Sequence, residues 1–238
     1  MPYGTLALDA IQTSGNLAIT GNTIVTGNVT ANTYNLVSRT LGTATPGRLE
    51  YNGTAPFFTP LGTQRGVIPG MQYYALNTPL VGTNATGAQN ILGAGVTLSD
   101  NTFYAFDAQF NFYKNAGTTS HTFALQWGGT ATLNNISVNI LIQNSAQGYV
   151  TVNSARSILQ YVQESTTAFV CTGAIASAFY TVNMQIQGLI SVSTGGTFIP
   201  QYVLSAAPGG AYTTSRYCFM RIYPIGAAGA NVNVGTWA

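Results

Sequence analysis

Gly-Asn recurs at Gly15-Asn16, Gly21-Asn22 and Gly27-Asn28, a strict period of six residues. Between the pairs lie short β-favouring runs, Leu17-Ala18-Ile19-Thr20 and Thr23-Ile24-Val25-Thr26, followed by Val29-Thr30. Glycine reaches positive φ without steric penalty and asparagine tolerates the left-handed region, so each pair is a natural corner. Four extended residues and a two-residue corner make one small repeat. Such a unit cannot bury its own apolar side chains, and about three units are fewer than a free-standing solenoid needs. As a single-chain left-handed β-helix the stretch would supply roughly one coil. The missing neighbours are most simply other copies of the same chain. The expectation is a short fibrous segment in an intertwined homo-oligomer, with Leu17, Ile19, Ile24, Val25 and Val29 as candidates for a shared core. The alternative on composition is a disordered Gly/Asn/Thr-rich leader.

The charge content narrows the rest. Only 5% of the 238 residues are charged, against about 25% in ordinary globular proteins. Together with 46% hydrophobic residues, this argues against whole-chain disorder. It also suggests that partner subunits cover much of the surface, because an isolated uncharged β protein tends to aggregate. A net charge of +2 with Lys114 as the only lysine leaves no nucleic-acid footprint. The start, MPYGTLALDA, lacks the basic-then-apolar pattern of a secretory signal. The most membrane-like stretch, Ala168 to Val182, is too short to span a bilayer and reads as core, so no membrane insertion is expected. Cys171 and Cys218 are too few for a disulfide framework; two buried thiols are the default and one bridge the alternative.

Residues 1–69 read as an N-terminal attachment and fibrous β segment, and residues 70–238 as a head. From Leu41 to Gly70 the chain is rich in Gly, Thr and Pro, and Pro46, Pro56, Pro60 and Pro69 argue against a helix. The passage looks like a linker ordered by its surroundings, with a tight hairpin at Asn52-Gly53. Arg39, Arg48, Glu50 and Arg65 fall in or just before it, four of twelve charged residues, which suggests polar contacts between subunits or between shaft and head. Beyond Pro69 the alternation lengthens. Tyr104, Phe106, Ala108, Phe110 and Phe112 share one strand face, as do Phe123, Leu125 and Trp127. Ile136, Val138, Ile140 and Ile142 do the same, and so do Tyr180, Val182, Met184, Ile186, Ile190 and Val192. Strands are also expected over Thr197–Leu204 and Ser215–Tyr223, with weaker ones at Gln72–Leu76, Ile91–Leu98, Ile158–Val162 and Ala168–Thr172. About ten strands without helix signals predict an all-β chain whose head is a β-sandwich, most plausibly a jelly roll, with other sandwiches and barrels sharing the pattern.

Catalytic chemistry is hard to assemble from these residues. His121 is the only histidine and lacks a nucleophile elbow. Asp100 reads as a turn cap and Asp107 as a polar-face residue, while Asp9, Glu50 and Glu164 are isolated. No acidic or Cys/His cluster suggests a metal, and no Gly-rich stretch matches a phosphate loop, so no cofactor and no enzyme activity are expected. Tyrosines such as Tyr73-Tyr74, Tyr113, Tyr212 and Tyr217 could stack on sugars, although core and inter-subunit roles are the commoner use.

Two segments carry a resemblance. SGNLAITGNTIVTGNVTANTYN resembles the β-rich shafts of bacteriophage fibre and head-decoration proteins. Gly47-Arg48-Leu49-Glu50-Tyr51-Asn52-Gly53-Thr54, followed by Phe57-Phe58-Thr59 and Arg65-Gly66-Val67-Ile68-Pro69, resembles a junction that precedes the globular head in phage virion proteins. There the motif reads close to G-x-L-E-Y-D-G, and Asn52 here replaces the acid. The body from Gly70 is similar in strand pattern alone to trimeric jelly-roll heads of the C1q/tumour-necrosis-factor type. The resemblance implies a non-enzymatic homotrimeric fibre, spike or capsid-decoration (cement) protein, assembled in the host cytoplasm and located on the virion. Its N-terminal segment would dock on other virion proteins, whether capsid, portal, tail or adaptor. The alternative it implies is a receptor-binding head, with a host-surface glycan as partner. It transfers no catalytic residue.

Overall fold

In the computed structural model the described residues are 28, 30, 31, 33–146, 155–163 (backbone), 168–229 and 231–234. Leu17, Ile19, Ile24, Val25 and Val29 lie outside them. Met1–Asn35 and Leu36–Ala238 cluster as separate units, and the second carries every strand described here.

Among the described residues all of the regular structure is extended. The Gly/Thr/Pro-rich passage, expected as a linker with one hairpin, builds a three-stranded antiparallel sheet of its own: β1 (Arg48–Tyr51), β2 (Pro56–Leu61) and β3 (Gln64–Val67). Asn52 makes the first corner, its Oδ1 accepting from the backbone N–H groups of Thr54 and Ala55, each at 2.9 Å. Gly53 there has φ +93°, open to glycine at no cost. Pro56 opens β2 and Pro60 sits where the β2–β3 register slips, two places where a missing N–H does no harm.

The remaining strands are β4 (Gln72–Ala75), β5 (Leu80–Val81), β6 (Gln89–Asn90), β7 (Val96–Leu98), β8 (Thr102–Lys114), β9 (Phe123–Gly129), β10 (Thr132–Ser145), β11 (Ala155–Gln163), β12 (Phe169–Val170), β13 (Tyr180–Thr194), β14 (Gly196–Leu204), β15 (Thr213–Thr214) and β16 (Phe219–Ala227). They form two antiparallel sheets. In the larger, β4-β16-β8-β13-β10-β11 lie side by side, and β15, paired to the far end of β8, carries β5. In the smaller, β12-β9-β14 is continued by β6 and β7, which share the free edge of β14.

The long strands follow the sequence alternation. Tyr104, Phe106, Ala108, Phe110 and Phe112 of β8 are all buried, as are the inward sets of β9, β10 and β13 except Tyr180, which is half-buried at the start of β13. Two expectations needed correction. Of Ile91–Leu98 only β7 is strand; Gly93-Ala94-Gly95 breaks the run, although Ile91 and Leu92 are still buried. The expected Ser215–Tyr223 strand begins later, because residues 215–218 turn, Tyr217 at φ 66°, and β16 then runs past Pro224 through a bulge to Ala227.

The sheets meet through aromatic rings. Phe106 of the large sheet packs edge-on against Trp127 (5.5 Å between centroids) and Phe198 (6.2 Å) of the small one, and those two stack at 5.2 Å. Phe112 similarly meets Phe123 and Tyr202, themselves stacked at 5.1 Å. Phe106 lies over Gly188 of β13, its register partner; a Cβ there would overlap the ring. Gly188→Ala is expected to force that ring aside and lower stability by about 1–3 kcal/mol. Urea unfolding checks this, with Gly229→Ala, which has open space, as the neutral control.

Candidate functional site

Polar chemistry concentrates in three places of the described body. The first is the junction hairpin. Glu50 is buried on the covered face of β1, where its Oε1 meets Arg48 Nε at 3.1 Å and its Oε2 meets Arg65 at 2.8 Å. Gly42 N–H donates to Oε1 at 2.9 Å, and Arg65 donates to the Gly42 carbonyl. One carboxylate thus fastens the 42–47 approach to β1 and β3. The Gly42 N–H, helped by Arg48 and Arg65 and opposed by burial, holds the Glu50 carboxyl below its usual range. The charge density noticed in the sequence therefore resolves into an intrachain clamp joining Glu50, Arg48 and Arg65. Arg39 ties in by its backbone, donating to the Tyr51 carbonyl at 3.0 Å.

The second place is one end of the sandwich. Lys114 and His121, the chain's sole lysine and sole histidine, are each only 2% exposed. Lys114 Nζ donates to the carbonyls of Ala116 (3.2 Å), Gly117 (2.7 Å) and Ser177. His121 Nδ1 lies 2.7 Å from the Thr119 carbonyl, which can only accept, so Nδ1 carries the proton and Nε2 accepts from the Tyr212 hydroxyl at 2.9 Å. Burial lowers the pKa of Lys114, and burial lowers that of His121, with the Thr119 carbonyl opposing and the Lys114 charge assisting. Burial also raises the Tyr212 pKa. His121 is thus a core histidine. The two cysteines are free and buried, as the default had it, and burial keeps the Cys171 thiol up at about 12, far from a reactive thiolate.

The third place is the outer face of the large sheet. Asn139, Gln187, Asp107, Arg221 and Tyr73 form one row across β10, β13, β8, β16 and β4. Asp107 and Arg221 pair at 3.0 Å, which confirms Asp107 on the polar face. Shallow depressions flank the row, one bordered by Leu189 and Tyr223, the other by Leu141 and Phe219. Tyr73 stacks on Phe219 at 5.5 Å. The outer face of the small sheet differs, since its amides satisfy one another: Gln126 donates to Gln201 at 3.1 Å, and Gln201 to Asn90 at 2.9 Å. Between β4 and β7 a cleft of about 330 Å³ opens into the sandwich, floored by Leu92, Phe198, Met220 and Ile222, with Tyr74 at its mouth.

No family model matches this chain. No curated protein matches it either.

Asp100, the expected turn cap, accepts from the Gly195 N–H, far from Asp107 and its partner. Among the described residues no group of three or more His, Cys, Asp or Glu side chains could hold a metal, and no helix is long and apolar enough to cross a membrane. The Glu50 clamp was visible in sequence as charge density. The Lys114–His121–Tyr212 end was not, because its partners are backbone carbonyls and a tyrosine 91 residues away from the histidine.

The Glu50 clamp yields a direct comparison. Glu50→Gln removes two ion pairs at a buried oxygen pair and is expected to lower Tm clearly more than Asp107→Asn, which loses one exposed pair. Because the folded pKa is depressed, the Glu50 contribution is present above pH 4.5 and fades as pH falls through the folded value. Thermal scans of both variants between pH 3 and pH 7 check the order and the direction.

Proposed function

We propose that the chain is a non-enzymatic virion structural protein of the phage fibre, spike or capsid-decoration type. It works as a homotrimer, built in the host cytoplasm and docked by its N-terminal segment on other virion proteins. The observation that carries this reading is the outer face of the large sheet. It spans six strands, roughly 24 Å across, and is on the order of 500 Å², a large part of the ~800 Å² one partner buries in a stable complex. Among its described side chains the one ion pair is internally neutral, and exposed Leu141 and Leu189 alternate with exposed Asn139, Gln185 and Gln187. A low-charge face with aromatics at one side suits coverage by another subunit better than open water.

The head of this reading is a jelly roll of the C1q/tumour-necrosis-factor type. Strand order supports it. Setting aside the β10–β11 hairpin and β5 and β15, and counting β6 and β7 as one, the eight strands run 1-8-3-6 in the large sheet and 2-7-4-5 in the small one. Two interlocked Greek keys give that order. The β10–β11 hairpin widens the large sheet on the side of strand 6. The junction resemblance gains support from the buried Glu50 of the GRLEYNG stretch, which gives the motif a physical task.

Light scattering of the full chain is expected to give about three times 24.9 kDa, near 75 kDa. Leu189→Asp, exposed and outside the core, is expected to lower that mass while the circular dichroism spectrum of the dissociated chain stays that of the parent. A well-folded full-length monomer overturns the reading. The second reading, a receptor- or glycan-binding head, is favoured by the uncharged β4–β7 cleft with Tyr74 at its mouth. Glycan-array binding that Tyr74→Ala abolishes would place it first.

A further inference from the structure

The end of the sandwich that holds Lys114 and His121 is made by three loops with little regular structure. They are residues 115–122 after β8, residues 171–179 before β13, and residues 205–212 after β14. Each is bound to the others through a few polar links. Lys114 Nζ joins the first loop to Ser177 of the second. His121 exchanges backbone hydrogen bonds with Ile175, 3.0 and 2.7 Å long, and reaches Tyr212 of the third loop through Nε2. Gly117, at φ +79°, sits so close to Pro208 and Gly209 that no Cβ would fit, so the first and third loops are in van der Waals contact.

We propose that His121 is a proton-sensitive latch: neutral, it ties the three loops together through Thr119 and Tyr212, and on protonation it lets go of Tyr212 and the loop end opens. The chemistry follows from the bonds. Neutral His121 uses Nδ1–H on the Thr119 carbonyl and takes the Tyr212 proton at Nε2. A proton added at Nε2 turns that acceptor into a donor. The Tyr212 hydroxyl must then accept, and its own hydrogen loses its partner at a site with 0% exposure. The new positive charge also lies beside Lys114, whose charge is met by carbonyls and not by a carboxylate.

The groups facing this site from each packed element are Lys114 at the end of β8, Tyr180 at the start of β13, Tyr202 on β14, Tyr212, and Cys171 on the second loop. The tyrosines and the thiol are neutral over the acid range and cannot offset a second cation. Asp107 is on the outer face with Arg221, and Asp100 lies before the opposite end of β8. No carboxylate is present among the described residues of this end.

The direction can be worked out. The folded pKa of His121 lies below 6.5, so on acidification the unfolded or opened state takes up the proton first. Closure is therefore fully favoured above pH 6.5 and weakens as pH falls from there to the folded pKa, roughly tenfold per pH unit for one proton.

As the chain's only histidine, His121 gives one imidazole C2–H resonance, which can be titrated by NMR in the full chain. Hydrogen–deuterium exchange read by mass spectrometry on the three loops, corrected for intrinsic exchange, is followed over the same pH series. The expected result is faster loop exchange setting in below pH 6.5, with strands β8 and β13 unchanged. His121→Gln, which keeps a donor and an acceptor but cannot titrate, is expected to remove the pH dependence. If that variant does not fold, Lys114→Met serves: removing the neighbouring charge moves the histidine midpoint upward and shortens the pH span over which the loops loosen, while the onset stays near pH 6.5. Loop exchange that ignores the histidine titration overturns the proposal. So does the same acid opening in His121→Gln, or a midpoint unmoved in Lys114→Met.

Discussion

Strand β8 is the element through which the head holds together. Its thirteen residues pair with β13 along one edge, and with β16 and then β15 along the other. Its inward side chains supply the large sheet's half of the ring contacts to Trp127, Phe198, Phe123 and Tyr202. A slip of one residue in β8 would send Phe106, Phe110 and Phe112 outward and bring Asp107, Gln109 and Asn111 into the core. The alternation of this one strand therefore sets the register of the sheet and the face that meets the second sheet. Gly188 shows how tight that fit is, since the ring of Phe106 occupies the space where any other residue would place its Cβ.

A chain with so few charges uses the buried ones in a consistent way. Glu50 is answered by two arginines and a backbone N–H, and Lys114 by three backbone carbonyls. In both cases the charge fastens a segment that has little repetitive hydrogen bonding of its own: the approach to β1 in one, the loop end of the head in the other. A neutral hydrogen bond would hold less firmly at these places, because charge-assisted bonds are roughly twice as strong. The two devices differ in their response to acid. Glu50 is stabilised in its charged form and keeps its role until the carboxyl protonates below its normal range. His121 is stabilised in its neutral form, and the Lys114 charge beside it makes protonation still less favourable.

How much of this was legible in the sequence follows from the range of the signals. Phe106, Ile140 and Ile186 announce their strands because burial on one face repeats every second residue over seven positions or more. β5, β6 and β15 are two residues long, too short for any period to register, whereas β12, equally short, lies within the strand expected at Ala168–Thr172. The last strand was expected to end at Tyr223, yet β16 runs on through Pro224 at a bulge, where its missing N–H is harmless. The hairpin at Asn52-Gly53 was expected, but the third strand that completes the small sheet was not. The clamp was half visible: Arg48, Glu50 and Arg65 stood out by rarity, but nothing in their spacing says that they meet within one chain. His121 gave no sign of its partner, since pairing with Tyr212 depends on the ends of β9 and β15 being brought together by the fold.

The same physics bears on how the outer face should behave. Its central row holds exposed amides and one neutral ion pair, set between two shallow depressions that Leu189 and Leu141 border. In an ordinary globular protein lysines and glutamates would keep such a surface from self-association. Here the whole chain has one lysine and few acids, and the described lysine is buried elsewhere. The small sheet reduces the appetite of its own outer face by bonding Gln126, Gln201 and Asn90 to each other, which leaves the large sheet as the more receptive of the two. If copies pair there, correct registration of β8 decides assembly as well as folding, because the residues that line the core and those that meet the partner are alternate members of the same strand.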